Sequence, residues 1–164
     1  MKLIEIVQAK RAHIERFANQ SGAAGEISAL SNMEHWIQRP RGIELKTLLR
    51  ALHETGINIK GSSFDAISLP QSMKVDFTNL AEVLAALPSM HFVEIKSANQ
   101  PRVKPGFAGF FFALTESEIA AAEALGQRHC VALYNKVTGE LMLTSVQEIL
   151  KRTKSSTWQL SVQL

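Results

Sequence analysis

Leu45, Leu48, Leu49 and Leu52 fall at the i, i+3, i+4, i+7 spacing of one helical face, and Gly56 stands just past them. This spacing predicts an amphipathic helix with a glycine stop. Upstream, Leu3, Val7, Ile14 and Phe17 gather near one face over residues 3 to 19, and Ser21 with Gly22 closes that first helix. Ile27, Leu30 and Ile37 place a second helix over residues 25 to 38, ended by Pro40. Beyond Gly56 the period changes. INIKGSSFDAISLP, residues 57 to 70, reads as one or two short strands about a Gly-Ser turn, and MKVDF, residues 73 to 77, as another. HFVEIKS, FAGFFFAL (residues 107 to 114) and HCVALY read as strands, the second apolar enough to be central. LMLT follows the NKVTGE turn as a hairpin partner, and Trp158, Leu160, Val162 and Leu164 alternate with polar residues as a final strand.

Helix starts punctuate these strands. Asn79 with Glu82, Thr115 with Glu118 and Ser145 with Glu148 have the spacing in which an N-cap side chain and a carboxylate three residues on satisfy each other's free backbone N–H groups. Helices inserted between strands predict an α/β domain with a mixed central sheet covered by helices on both faces. Residues 41 to 164 form that domain, and residues 1 to 40 a helical extension to it.

The chain has 164 residues, 46% of them hydrophobic, which suits one compact domain with a real core. No apolar run approaches the ~20 residues needed to span a bilayer. MKLIEIVQAKRAHIERF carries charges where a signal peptide needs a bare apolar stretch, so a soluble, cytoplasmic protein with no membrane partner is expected. The single cysteine, Cys130, suits a reducing compartment and excludes an internal disulfide framework. A net charge of +3 permits a nucleic-acid partner without requiring one. Distribution adds more: Lys96, Arg102 and Lys104 face no acid between Ser97 and Thr115, and Lys151, Arg152 and Lys154 cluster near the C-terminus.

One strand breaks its own pattern. In HFVEIKSANQPRVKPGF, Phe92, Glu94 and Lys96 share a face while Val93 and Ile95 point to the other, so two charges lie on a face headed by phenylalanine. An acid-x-Lys triplet is cheap by chance, and a second one, IELK at residues 43 to 46, stands on the leucine helix. There the i and i+2 side chains diverge, and the triplet reads as helix surface. On a strand they converge, roughly 7 Å apart. Such convergence suits metal-dependent phosphodiester hydrolysis. Mg²⁺ keeps several waters and takes one or two carboxylates from the protein; it makes a bound water easier to deprotonate and offsets phosphate charge. A lysine beside it positions the water or stabilises the developing charge. Asp65, out of pattern at the start of an apolar strand, is the candidate second carboxylate, with Asp76 of KVDF as the alternative.

Asp65 followed by Glu94-x-Lys96 resembles the PD-(D/E)xK nuclease motif, with Phe64 in place of the proline. More narrowly, FDAIS through FVEIKS to FFFALTESEIAAAEALGQRHCVALYNKV, over about residues 42 to 137, resembles the NO VEIN C-terminal-like domain. The resemblance implies a restriction-endonuclease-like fold and a Mg²⁺-dependent DNA endonuclease acting in restriction, phage defence or repair. Within it Asp65 and Glu94 are metal ligands, Lys96 is the catalytic lysine, and Mn²⁺ is a substitute ion. Glu44, on the helix before the aspartate strand, takes the place of a further metal-binding acid. Gln100, Arg102 and Lys104, in the loop after the lysine strand, are the candidate DNA phosphate contacts. A twofold homodimer would suit cutting both strands. The alternative function is a catalytically inactive nuclease-like module that binds nucleic acid or a protein partner. A third reading makes Glu94 and Lys96 a buried ion pair at a subunit interface.

Other chemistries lack support. The histidines at 13, 35, 53, 91 and 129 have no zinc-ligand spacing, His91 reads as a structural strand-end residue, and Cys130 reads as a buried inert thiol. Gly-x-Ser-x-Gly and phosphate-cradling glycine loops are missing.

Overall fold

The leucine stripe forms its helix as the spacing requires, and its buried Leu48, Ala51 and Leu52 lie against the sheet that organises the molecule. The structure is a computed structural model that describes residues 2–18, 35–98, 101–157, 159 and 162–164. In chain order it contains α1 (Leu3–Ala18), β1 (His35–Gln38), α2 (Gly42–Glu54), β2 (Ala66–Leu69), α3 (Leu80–Ala86), β3 (His91–Ala98), α4 (Glu116–Leu125), β4 (His129–Asn135), β5 (Leu141–Thr144) and α5 (Val146–Arg152). The strands form one mixed sheet in sequential order. β1, β2 and β3 pair antiparallel, β3 and β4 pair parallel, and β4 and β5 close as an antiparallel hairpin. The parallel pair needs a crossover, and α4 supplies its helix. None of the described helices is long and apolar enough to cross a membrane.

Alternation along the strands sorts the core. Ile67, Leu69 and Phe92 point to the face where α2, α3 and α4 pack through Leu48, Leu52, Val83, Ala121 and Leu125. Phe64 meets Phe92 edge-on there, ring centroids 5.1 Å apart. Farther along the same face, Ala98, Val131 and Leu133 meet Phe17 of α1, Ala122 of α4 and Val146 of α5. Ala66, Val93, Cys130 and Ala132 form a smaller cluster on the other face, with Trp36, Ile95 and Leu143 packed against it. The described helices thus pack on the face that carries Phe92, Glu94 and Lys96.

The caps hold as the spacing predicts. Asn79 accepts the N–H groups of Ala81 and Glu82, Thr115 and Glu118 make a reciprocal capping box, and Ser145 accepts the N–H of Glu148. Gly126, at φ 57°, ends α4 in a conformation that glycine tolerates best. Thr115→Ala is expected to lower the stability of the protein by about 1 kcal/mol, read as a reduced urea midpoint with an unchanged m-value.

Other expectations yield to tertiary structure. Residues 25 to 34 of the expected second helix lie outside the described residues, and 35 to 38 are strand β1, whose Trp36 and Ile37 face opposite clusters. Of residues 57 to 70 only Ala66–Leu69 is a strand. Residues 73 to 76 are irregular, their Met73 and Val75 tucked against the main core. FAGFFFAL is not a strand. Phe107 and Gly109 take φ of 62° and 80°, which break a ladder, and only a single bridge, Lys104 to Ala108, remains. Its phenylalanines stack on one another instead, Phe110 with Phe112 at 4.9 Å. Trp158 and Leu160 lie outside the described residues, and Gln159 and residues 162 to 164 are not in a strand.

Candidate active site

The site begins with register. β2 pairs with β3 as Ala66 opposite Val93 and Ile67 opposite Phe92, which brings Asp65, just before β2, to the stretch of β3 that carries Glu94. Backbone bonds hold Asp65 there: its N–H donates to the Val93 carbonyl at 2.8 Å, and the Arg39 N–H donates to the Asp65 carbonyl at 2.9 Å. Asp65 stands just before its strand, and its carboxylate accepts the Ile95 N–H at 2.9 Å, extending the ladder with a side chain where the backbone departs. One oxygen of an exposed carboxylate is thereby fixed beside Glu94.

Lys96, two residues on, shares the Glu94 face. Its Nζ lies 2.9 Å from Glu94 Oε1 and 2.9 Å from Glu118 Oε2. The three side chains are 14%, 7% and 8% exposed for Lys96, Glu94 and Glu118. They form an acid–base–acid triad between the sheet and α4, within one chain. The capping box aims Glu118: the same Oε2 accepts the Thr115 N–H at 2.9 Å, while Thr115 Oγ1 accepts the Glu118 N–H at 3.2 Å.

Electrostatics divides the two glutamates. Burial pushes the Glu94 carboxyl up to about 7; contact with Lys96 pulls the other way, and the charges of Glu118 and Asp65 add to the rise. Burial also opposes the charge on Glu118, but the Thr115 N–H and Lys96 outweigh it and hold this carboxyl below its usual range. Lys96 is likewise penalised by burial, and its two acidic partners more than offset this, so its pKa is raised. Near neutral pH, Lys96 and Glu118 are therefore charged, and Glu94 is the titrating member.

The expected site assembles in part. Asp65, Glu94 and Lys96 come together. Glu44 does not: it is exposed in the first turn of α2, and among the described residues no group of three or more His, Cys, Asp or Glu side chains is arranged to hold a metal ion. The expected three-carboxylate metal set of Asp65, Glu94 and Glu44 is therefore not formed among the described residues, since the Glu44 side chain is turned to solvent. Asp76, the alternative aspartate, stands exposed in the turn before α3, where its carboxylate accepts the Thr78 N–H at 2.8 Å and the Thr78 hydroxyl at 2.6 Å. Arg102 and Lys104 are exposed in the loop after β3, and Gln100 lies outside the described residues. Cys130 is buried, its thiol pushed up to about 12 by burial, as befits an inert core residue.

Two features escaped the sequence reading. Glu118 was visible only as half of a capping box, and its second role depends on where α4 crosses the sheet. Trp36 and Arg41 line a cavity with Asp65 that the helical reading of residues 25 to 38 concealed. Comparison with models of known protein families, with curated proteins and with solved structures finds no match to this chain.

Proposed function

We propose that the protein is a metal-dependent endodeoxyribonuclease of the PD-(D/E)xK type, hydrolysing DNA phosphodiester bonds in restriction, phage defence or repair. The observation that carries this reading is the placement of the Asp65 carboxylate, just before β2, beside Glu94 of the adjacent β3, with Lys96 in contact with Glu94. The topology fits a restriction-endonuclease-like core: the aspartate strand lies antiparallel to the Glu-x-Lys strand, and a helical crossover leads to a parallel neighbour. Two carboxylates are a sufficient protein contribution for Mg²⁺, which keeps waters and phosphate oxygens in its other positions. Asp65 and Glu94 fit that role, since Asp65 is oriented through one oxygen only and Glu94 is a carboxyl whose ionised form lacks enough positive neighbours. When bound, the ion would acidify a water and offset phosphate charge.

The chain's own groups have definite tasks. Lys96 stays protonated, so it serves as a cation and donor and not as a general base. An ammonium has three donors; among the described residues Glu94 and Glu118 take two, and the third would serve a phosphate oxygen or the attacking water. Glu118 positions Lys96 from the far side. Exposed Arg102 and Lys104 are suited to hold the backbone of the strand.

Purified protein is expected to nick or cut plasmid with Mg²⁺ or Mn²⁺ and to stop when EDTA is added. Asp65→Asn should slow this by about 10²-fold or more, an order typical of lost electrostatic groups. Metal-independent cleavage, or none on duplex, single-stranded or modified DNA, would sink the reading. The deep burial of the triad favours a second reading, an inactive nuclease-like module in which Lys96 only neutralises two interior acids. Salt-sensitive DNA binding with no cleavage under either metal would support it.

A further inference from the structure

The side of Asp65 away from the triad opens into a cavity of about 460 Å³, lined among the described residues by Trp36, Gln38, Arg41, Asp65 and Ile95 together with neighbouring strand ends. That volume is in the range of small-molecule sites, roughly 300–1,000 Å³. Its walls differ in chemistry. Trp36 is half-buried and packed against the Ala66, Val93, Cys130 and Ala132 cluster, which holds the indole in place. Ile95 adds an aliphatic wall, and the exposed amide of Gln38 offers both a donor and an acceptor.

The two arginines beside the cavity have separate roles. Arg39 Nη1 donates to the carbonyls of Gly61 and Phe64 at 3.0 Å each and so serves the loop before β2. Arg41 precedes α2, is exposed, and makes no side-chain cap to the helix. Its guanidinium is available to an anion. Asp65 also lines the cavity, and its carboxylate disfavours an anion directly beside it. The combination of a packed aromatic side chain, an amide and an exposed cation matches a planar heterocycle bearing a phosphate.

We propose that this cavity takes one unstacked nucleotide of a DNA strand, its base against Trp36 and its phosphate on Arg41, so that single-stranded or locally opened DNA is brought to Asp65, which borders it. A base paired and stacked in intact duplex has no face free for the indole, whereas an unpaired base gains a stacking partner on it. The assignment of the reaction rests on the nuclease reading; the binding does not.

The test uses Trp36 as its own reporter, in the 164-residue chain with the other tryptophan changed (Trp158→Phe) and EDTA present to prevent cleavage. A short oligothymidylate is expected to quench the fluorescence and to bind at least about tenfold more tightly than a blunt duplex of equal length, as one stacked base allows. Trp36→Leu should cost about tenfold in anisotropy-measured affinity for the labelled oligonucleotide. Arg41→Ala, on an exposed side chain that the fold does not need, should weaken binding and reduce its salt slope by about one counterion. Equal affinity for blunt duplex, or unchanged affinity in the Arg41 variant, overturns the proposal. Single-strand binding lost in both variants without any metal-dependent cleavage keeps the cavity and removes the nuclease reading. Cleavage lost on Asp65→Asn, with Trp36 and Arg41 indifferent, does the reverse.

Discussion

Lys96→Ala is expected to destabilise the protein by about 3–5 kcal/mol and to reduce metal-dependent cleavage by about 10²–10³-fold. The stability loss follows from what is left behind. Glu94 and Glu118 are 7% and 8% exposed and share the Lys96 ammonium at 2.9 Å on each side. Removing the cation leaves two interior acids without a counter-charge, and one of them must hold a proton at neutral pH. A buried ionic group is more harmful when half removed than when wholly replaced by apolar groups of similar shape. The combined variant Glu94→Gln, Lys96→Met, Glu118→Gln should therefore recover much of the stability lost in Lys96→Ala while remaining without cleavage. Urea unfolding and plasmid cleavage on the same preparations separate the two effects. A stable, cleaving Lys96→Ala protein would show that the triad neither holds the fold nor serves the reaction.

What could be read in advance depended on how local its cause was. The leucine stripe of α2, the three N-caps and the turn between β4 and β5 are each set by residues within a few positions of one another, and each formed as read. FAGFFFAL failed because hydrophobicity alone cannot tell a strand from an apolar loop; two residues at positive φ turn the chain, and the rings pack on each other. His35–Gln38 was too short for its period to speak against a helix, and it is a strand because β2 offers an antiparallel edge. The candidate site divides in the same way. Glu94 and Lys96 were visible as charges out of pattern on a strand, and Asp65 as an acid before one. Glu118 was not, since its carboxylate reaches Lys96 only through the β3–α4 connection. Glu44 was tied to the site by analogy of position alone, and its helix turns it outward.

In metal-free buffer the stability of the protein should be nearly flat between about pH 4.5 and 6.5, through two opposed titrations that single substitutions expose. Glu94 is raised from its ordinary 4.5 to about 7, chiefly by burial, so the folded chain binds this proton more tightly than the unfolded chain. Its contribution is fully present below 4.5 and is lost as pH rises through about 7. His129 runs the other way. Burial lowers it from 6.5 to about 4, against the partial pull of Glu118 and of Ser63, so its contribution is present above 6.5 and lost as pH falls through about 4. His91, lowered by burial and by Arg128, has the same sign as His129. At about 1.4 kcal/mol per pH unit, and discounted for residual solvent screening, each opposing slope is on the order of 2 kcal/mol across the window. Glu94→Gln should thus yield a protein whose urea midpoint rises with pH from 4.5 to 6.5, and His129→Gln one whose midpoint falls from 4.5 to 7. Glu118 and Lys96 act only outside this range: the lowered Glu118 loses its contribution as pH falls below 4.5, and the raised Lys96 loses its own as pH climbs beyond 10.5. Asp65→Asn removes one of the charges that raise Glu94 and should bring the upper end of its window below 7. If Glu94→Gln shows the same pH profile as the unaltered protein, Glu94 is not the titrating member of the triad, and the division of charge between the two glutamates is reversed.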